Sequence, residues 1–251
     1  MPSPTDQDEP RRRLLVTGGA SGMGAACVRM ALARGWDVHG VDLAPPPADI
    51  DAQDWSLVDL ADTAARADWV SAMLSRGDTF GGAILAAGIM SAEAQDGWDE
   101  LVWRRTLEID LLAPAHLLFG LGQLWEPHAG IVLFGSIAAP DGTLGSPAYA
   151  AAKAGLVGVM GAAIRRFADR EVRVNVVHPG SVDTPLSRRM LDELPSSVRA
   201  QMPTMGRRGM PPDYVSHIAV ELVEAYGISG EAIRIDRGAR ILPGVSPGPG
   251  T

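Results

Sequence analysis

The chain has 251 residues, 46% hydrophobic and 21% charged, with a formal net charge of −8 and a pI of about 5.1. That length suits one α/β domain with a full core, and the acidic balance without a basic stripe argues against a nucleic-acid partner. The single cysteine, Cys27, excludes an intrachain disulfide and fits a cytoplasmic location; no apolar run reaches the roughly 18 residues of a membrane span, so no membrane partner is expected.

Residues 1–12 read as a disordered, proline-rich tail that lacks the apolar run of a signal peptide. Strands and helices then alternate. Leu14–Thr17 is a short buried strand, Gly22–Arg34 a helix and Asp37–Asp42 (DVHGVD) a second strand. Trp55–Asp59 is a brief strand and Asp62–Ser75 a helix. The apolar run Gly82–Ala87 leads through a loop into helical material from Asp96 to Gln123, with a bend expected near Pro114. Ile131–Ser136 is a strand, Pro147–Asp169 a long helix and Val172–His178 (VRVNVVH) a strand. A mixed, lid-like stretch over 184–210 precedes a helix at Pro212–Tyr226 and a last strand at Ala232–Asp236. Residues 13–242 thus form a single domain, and 243–251 a flexible tail.

Strands separated by helices of this length imply right-handed crossovers. The expected fold class is α/β: a Rossmann-like, doubly wound parallel sheet of about seven strands with helices on both faces. Ligands in such sheets lie beyond the carboxyl ends of the strands. Gly18–Gly24, Asp42, Asp59, Ala86–Gly88, Ser136 and His178–Thr184 all follow strand ends.

The first strand leads into TGGASGMG, Thr17 to Gly24. Gly18, Gly22 and Gly24, with Ser21 and Met23 among them, permit a tight turn whose N–H groups approach a pyrophosphate at a helix N-terminus. A plain strand-to-helix turn would look similar. Asp42, 18 residues beyond Gly24, suits the ribose hydroxyls of a dinucleotide or a simple turn. Its charge would repel a 2′-phosphate, and Leu43, Ala20 and Ser21 offer no cation, so NAD is expected rather than NADP. Asp59, followed by Leu60, is placed for the adenine edge or for a helix start.

Ser136 ends a strand, and Tyr149 and Lys153, four apart, share one face of the helix opening at Pro147. A hydroxyl, a phenol and an ammonium so arranged can move a proton. Capping, packing and a solvated helix charge are their plainer roles.

Together these residues resemble the short-chain dehydrogenase/reductase family in its single-domain form. The resemblance runs from about Leu14 to Gly238: TGGASGMG at 17–24, Asp42, VDL at 58–60, AAG at 86–88, Ser136, Tyr149-x-x-x-Lys153, PGSVDTP at 179–185 and IRIDRG at 233–238. It implies an NAD-dependent oxidoreductase interconverting a secondary alcohol and a ketone by hydride transfer. Tyr149 would be the acid/base, its pKa brought down from about 10 by Lys153 and the nicotinamide charge. Ser136 would hold the substrate oxygen, and Lys153 would also reach the nicotinamide ribose. Ala87, Gly88, Pro179, Gly180, Val182 and Thr184 would line the cofactor. Two departures stand out. Ala86 occupies a position where the family usually has Asn, with a local effect expected. Asp110, in LEID at 107–110, occupies that of the catalytic Asn. A carboxylate accepts but does not donate, so Asp110 would either pair with Lys153 or weaken the proton relay. The alternatives are an NADPH-preferring 3-oxoacyl or ketone reductase and a low-turnover nucleotide-binding regulator.

Leu186, Met190, Leu191, Leu194, Met202 and Met205 of the lid-like stretch, with Met90, suggest a mainly apolar small-molecule substrate. Arg188, Arg189, Arg207 and Arg208 read as solvated charges, or as holders of a carboxylate or phosphate. His116, His128 and His217 share no spacing, so no metal is expected. A stripe of small residues on the long helix, Ala148, Ala151, Ala152, Gly155, Val159, Ala162 and Ala163, suits packing on the sheet. By resemblance it would instead form a homodimer or homotetramer interface.

Overall fold

Seven strands lie side by side in the computed structural model, which describes residues 12–52, 54–91, 98–142, 146–193 and 209–239. In chain order the elements are β1 (Arg13–Thr17), α1 (Gly22–Ala33), β2 (Asp37–Asp42), β3 (Asp54–Leu57), α2 (Thr63–Arg76), β4 (Phe80–Leu85), α3 (Glu100–Leu107) and α4 (Ala113–Gly120). They continue with β5 (Trp125–Phe134), α5 (Ala138–Asp141), α6 (Pro147–Arg166), β6 (Arg173–Pro179), α7 (Pro185–Glu193), α8 (Pro212–Glu224) and β7 (Ala232–Ile235). The sheet order is β3-β2-β1-β4-β5-β6-β7, and every neighbouring pair is parallel.

The strand sequences explain the two covered faces. In β1, Leu15 points into one core with Leu117, Leu133 and Leu156, while Leu14 and Val16 point into the other with Ile84, Val132 and Val220. β4 and β6 are buried at every position, as strands enclosed on both sides must be. Asp62 caps α2 by accepting from the N–H groups of Ala64 and Ala65, and Gly77 closes it in the left-handed conformation. The order reverses between β1 and β4, so the crevice between their carboxyl ends is the switch point where a ligand can enter.

Several boundaries differ from the sequence reading. β5 starts at Trp125, not Ile131; the strand absorbs Pro127 and Gly130 at an irregularity between the pairs Phe80–Trp125 and Gly82–Gly130. The helical break expected near Pro114 is a π-helical turn over Glu108–Leu112. Pro114 itself sits in the first turn of α4, where its missing N–H costs nothing. Helix α6 ends at Arg166, followed by a 3₁₀ turn at Ala168–Arg170. Helix α5 was not anticipated. Both terminal tails lie almost wholly outside the described residues, as do Leu194, Met202, Met205, Arg207 and Arg208. Helix α6 is long and apolar enough by composition to cross a membrane, yet Ala148, Ala152, Leu156, Met160 and Ala163 are buried against its own domain.

Candidate active site

The glycine turn is built so tightly that side chains are excluded from it. Gly18 has φ +71°, and a Cβ there would lie 2.9 Å from the Ala87 backbone; one on Gly24 would lie 2.0 Å from the Gly18 carbonyl oxygen. Ser21, at the N-cap of α1, makes no side-chain cap bond, and the first turn carries no acid. The uncapped N–H groups and the positive helix end therefore border the cavity formed by Gly18, Ser21, Gly22, Met23 and Gly24. Asp42, Leu43, Asp59, Leu60, Ala87 and Gly88 complete it, with Arg105 of α3. Asp42 Oδ2 accepts the Ala20 N–H at 2.9 Å and Oδ1 the Ala44 N–H at 3.1 Å, which ties the loop to the end of β2 and leaves acceptor capacity on both oxygens. Asp59 accepts the Ala61 N–H at 2.9 Å and is not the helix cap, a role taken by Asp62. Beside Ala86, the Ala87 N–H is satisfied by Thr17 Oγ1 at 3.1 Å.

A second cavity adjoins the first, and Met23, Thr184 and Leu186 line both. Ser136 enters it from the end of β5, and its hydroxyl is near enough to the Tyr149 phenol of α6 to pull the phenol pKa down. Ser136 Oγ accepts the Ala138 N–H at 3.1 Å, and its own backbone N–H donates to His178 Nδ1 at 3.1 Å. Behind Tyr149, the Lys153 ammonium lies 5.5 Å from the phenol ring centre. Its Nζ is 2.9 Å from Asp110 Oδ1, an ion-pair approach with angles short of a well-aligned hydrogen bond. Both partners are enclosed, and Asp110 Oδ2 accepts the Ile89 N–H at 3.4 Å. A Cβ on Gly88 would lie 2.4 Å from Asp110 Oδ1 and 3.2 Å from Lys153 Nζ, so glycine is needed for the pair to close.

The π turn aims Asp110 inward, and its flanks are clamped. Glu108 Oε1 accepts from Arg66 at 2.6 Å, and the same buried guanidinium donates to the Leu60 carbonyl and to His116 Nδ1. Leu111 packs on Gly155, where a Cβ would come within 2.9 Å of it.

Charge at the centre departs from expectation. Burial pushes the Tyr149 phenol up; Lys153 pulls it down, Asp110 pushes it up again, and the nearby Ser136 hydroxyl pulls it down. The balance stays above the ordinary tyrosine value, so the lowering anticipated from the sequence is not supplied by the chain's own groups. Desolvation, first, and then Asp110, unforeseen in that sum, are the reasons. Burial works against the Lys153 charge, but Asp110 and Tyr149 outweigh it and hold the ammonium above its usual range. Burial pushes the Asp110 carboxyl up against the opposing pull of Lys153.

Met90, Met190, Leu191 and Met210 give the second cavity its apolar wall. Pro179, Gly180 and Val182, expected beside the cofactor, line this cavity with Ser136 and Tyr149. Arg188 pairs with Asp183 at 2.6 Å on the exterior, and Arg189 is exposed, so neither points to an anion site.

A family model described as enoyl-(acyl carrier protein) reductase matches residues 18–240. The chain belongs to the short-chain dehydrogenase/reductase family. It is 34% identical to cis-4-hydroxycyclohexanecarboxylate dehydrogenase of Sinomonas cyclohexanicum over 248 residues, covering 90% of this chain and 96% of the relative. Among solved structures, a 4-hydroxyisoleucine dehydrogenase mutant complexed with NADH and succinate superposes with a TM-score of 0.80 at 19% identity, covering 92% of this chain and 100% of that one. BdcA in complex with NADPH gives 0.73 at 25% identity, covering 90% and 93%. Nicotinamide cofactors of both kinds thus occur among the neighbours.

Within this family member, the sequence assigned no role to four residues at or beside the site. Thr17 and His178 act through backbone N–H groups, which no side-chain pattern reveals. Arg105 is one charge on an amphipathic helix and carried no signal. Arg237 did: it follows the carboxyl end of β7, lines the second cavity and adopts φ +56°, a conformation that favours glycine. Most of the small-residue stripe on α6 packs within the chain: Ala148, Ala152 and Ala163 are buried, Gly155 receives Leu111 and Val159 meets the core, while Ala151 and Ala162 are exposed. Among the described residues, no group of three or more His, Cys, Asp or Glu side chains is placed to hold a metal.

Proposed function

We propose that this oxidoreductase interconverts a secondary alcohol and a ketone of mainly apolar character, using NAD(H), with Tyr149 as acid/base. The observation that carries the reading is the junction of the two cavities: Ser136 and Tyr149 stand together in one, and Met23, Thr184 and Leu186 join it to the glycine-turn cavity. A bound nicotinamide would supply the hydride acceptor or donor. Tyr149 takes the carbinol proton in oxidation and returns it in reduction, while Ser136 holds the oxygen. Lys153, kept charged by Asp110, offsets the tyrosinate. The first turn of α1 would receive the pyrophosphate, and the remaining acceptor capacity of Asp42 would receive ribose hydroxyls and disfavour a 2′-phosphate. The test is a panel of alcohols and ketones followed by NADH absorbance, with Tyr149→Phe as control. The variant is expected to lose about 10²–10⁴-fold in kcat while still binding NADH; turnover that survives would overturn the assignment.

A narrower substrate class is favoured by Arg237. Asp141 and Asp236 also line the second cavity, and both are bonded to Arg234, at 2.7 and 3.4 Å. Arg237 is the one cation among the described residues of that wall, so the substrate carries a carboxylate distant from its carbinol carbon. The name of the Sinomonas relative combines these features, an alcohol and an acid on an apolar ring.

A further inference from the structure

We infer that His178 is a positioning residue for this reaction: its neutral ring accepts the Ser136 backbone N–H through Nδ1 and so fixes where the Ser136 hydroxyl stands. The inference rests on Ser136 holding the reacting oxygen, as proposed above.

The β5–β6 ladder continues past its last strand pair. The Gly135 N–H donates to Val177 O at 2.8 Å and the Ile137 N–H to Pro179 O at 3.1 Å. Between these two backbone bonds, the Ser136 N–H is met by an imidazole nitrogen at 3.1 Å. The ring fits only because residue 135 is glycine; a Cβ there would lie 2.5 Å from Nδ1 and 2.7 Å from Cε1. The sequence therefore spends a glycine and a buried histidine on the backbone of one serine.

An accepting Nδ1 requires the ring proton on Nε2, and a second proton would set donor against donor. Burial, first, holds the ring below the usual histidine range. Arg234 of β7 and Lys153 of α6 also oppose protonation, while Asp141 of α5 favours it. The ring is not sealed from solvent on every side. It lines a separate outer cavity with Ala139, Pro140, Ala154, Val157 and Arg234, so a proton can reach it without crossing the substrate site. When it arrives, the Ser136 N–H loses its acceptor and the hydroxyl loses its fixed place. Turnover is then retained above the depressed histidine pKa and lost as pH falls through it.

The test uses the full chain and two independent readouts. Nitrogen-15 long-range NMR on histidine-labelled protein is expected to show the Nε2–H tautomer at neutral pH and a midpoint below 6.5, with the Ser136 amide shift following the same midpoint. In His178→Asn, whose side-chain oxygen can accept but does not titrate, the Ser136 amide should be flat across that range. In NADH-linked ketone reduction, His178→Asn should keep kcat and lose the acid limb. His178→Leu, which cannot accept, should lose about tenfold in kcat with unchanged NADH affinity. A Nδ1–H tautomer, a Ser136 amide indifferent to the ring titration, or an acid limb persisting in His178→Asn would overturn the inference. The NMR arm needs no substrate. Expected NMR behaviour alongside a chain inert to every carbonyl tried would therefore count against the proposed reaction and leave the Ser136–His178 contact standing.

Discussion

Lys153 and Asp110 meet at 2.9 Å in a space that glycine at position 88 leaves open. Asp110 supports the ammonium and at the same time pushes the neighbouring phenol up, so it acts on both members of the proposed proton-moving pair. Asp110→Asn removes that charge and lets the Tyr149 pKa fall. The acid limb of kcat/KM for oxidation and the alkaline limb for reduction should then both move to lower pH. Profiles identical to wild type would exclude an electrostatic role. Asp110→Leu instead strands a buried ammonium, and thermal melting should show a loss of about 3–5 kcal/mol.

Asp42 is tied to the glycine loop through the Ala20 N–H and to the chain beyond β2 through the Ala44 N–H. Asp42→Ala should lower kcat/KM for NAD by about 10- to 100-fold, because charged hydrogen bonds and the loop anchor are lost together. The value for NADP should fall less, or rise. Equal losses with both cofactors would show that the carboxylate only supports the loop.

Arg237→Gln should raise KM for hydroxy acids by about tenfold or more and leave their methyl esters nearly unaffected, since only the charged group has a partner to lose. The same change for acid and ester would point to packing alone.

How much of this was legible in the sequence depends on what each signal encodes. The strand–helix alternation of apolar runs is a direct record of burial, so the parallel sheet and the strand ends bearing Gly18, Ser136 and Gly180 could be read from it. Periodicity also placed Tyr149 and Lys153 on one face of α6. It failed where the backbone leaves regular geometry. Helical spacing cannot announce a π turn, so the break was put at Pro114. The start of β5 reads as Ile131 rather than Trp125, because the irregular stretch around Pro127 and Gly130 breaks the apolar run that marks a strand. The upward pull on Tyr149 could not be foreseen either; it comes first from burial of the phenol itself and then from the charge of Asp110, and burial is tertiary information.

On helix α6, Gly158 is exposed and Gly161 half-buried, and a Cβ on either would meet nothing within 4 Å among the described residues. The chain's own packing gives no reason for glycine there, and glycine costs helix stability relative to alanine. Close approach of a second copy would supply one. Light scattering is expected to find a dimer or tetramer, and Gly158→Leu should shift it toward smaller species. An unchanged assembly in that variant would remove α6 from the interface.

The π turn at Glu108–Leu112 has the arithmetic of one residue too many for an α-helix. Removing one residue from it would let α3 and α4 join as a regular helix, at the cost of a rotation of about 100° between what lies before and after. Arg66 grips one end of the turn and Gly155 receives the other, so the strain of that rotation would fall on Asp110. Such a shortened chain would retain Ser136, Tyr149 and Lys153 and the whole sheet, with an ammonium that nothing anchors.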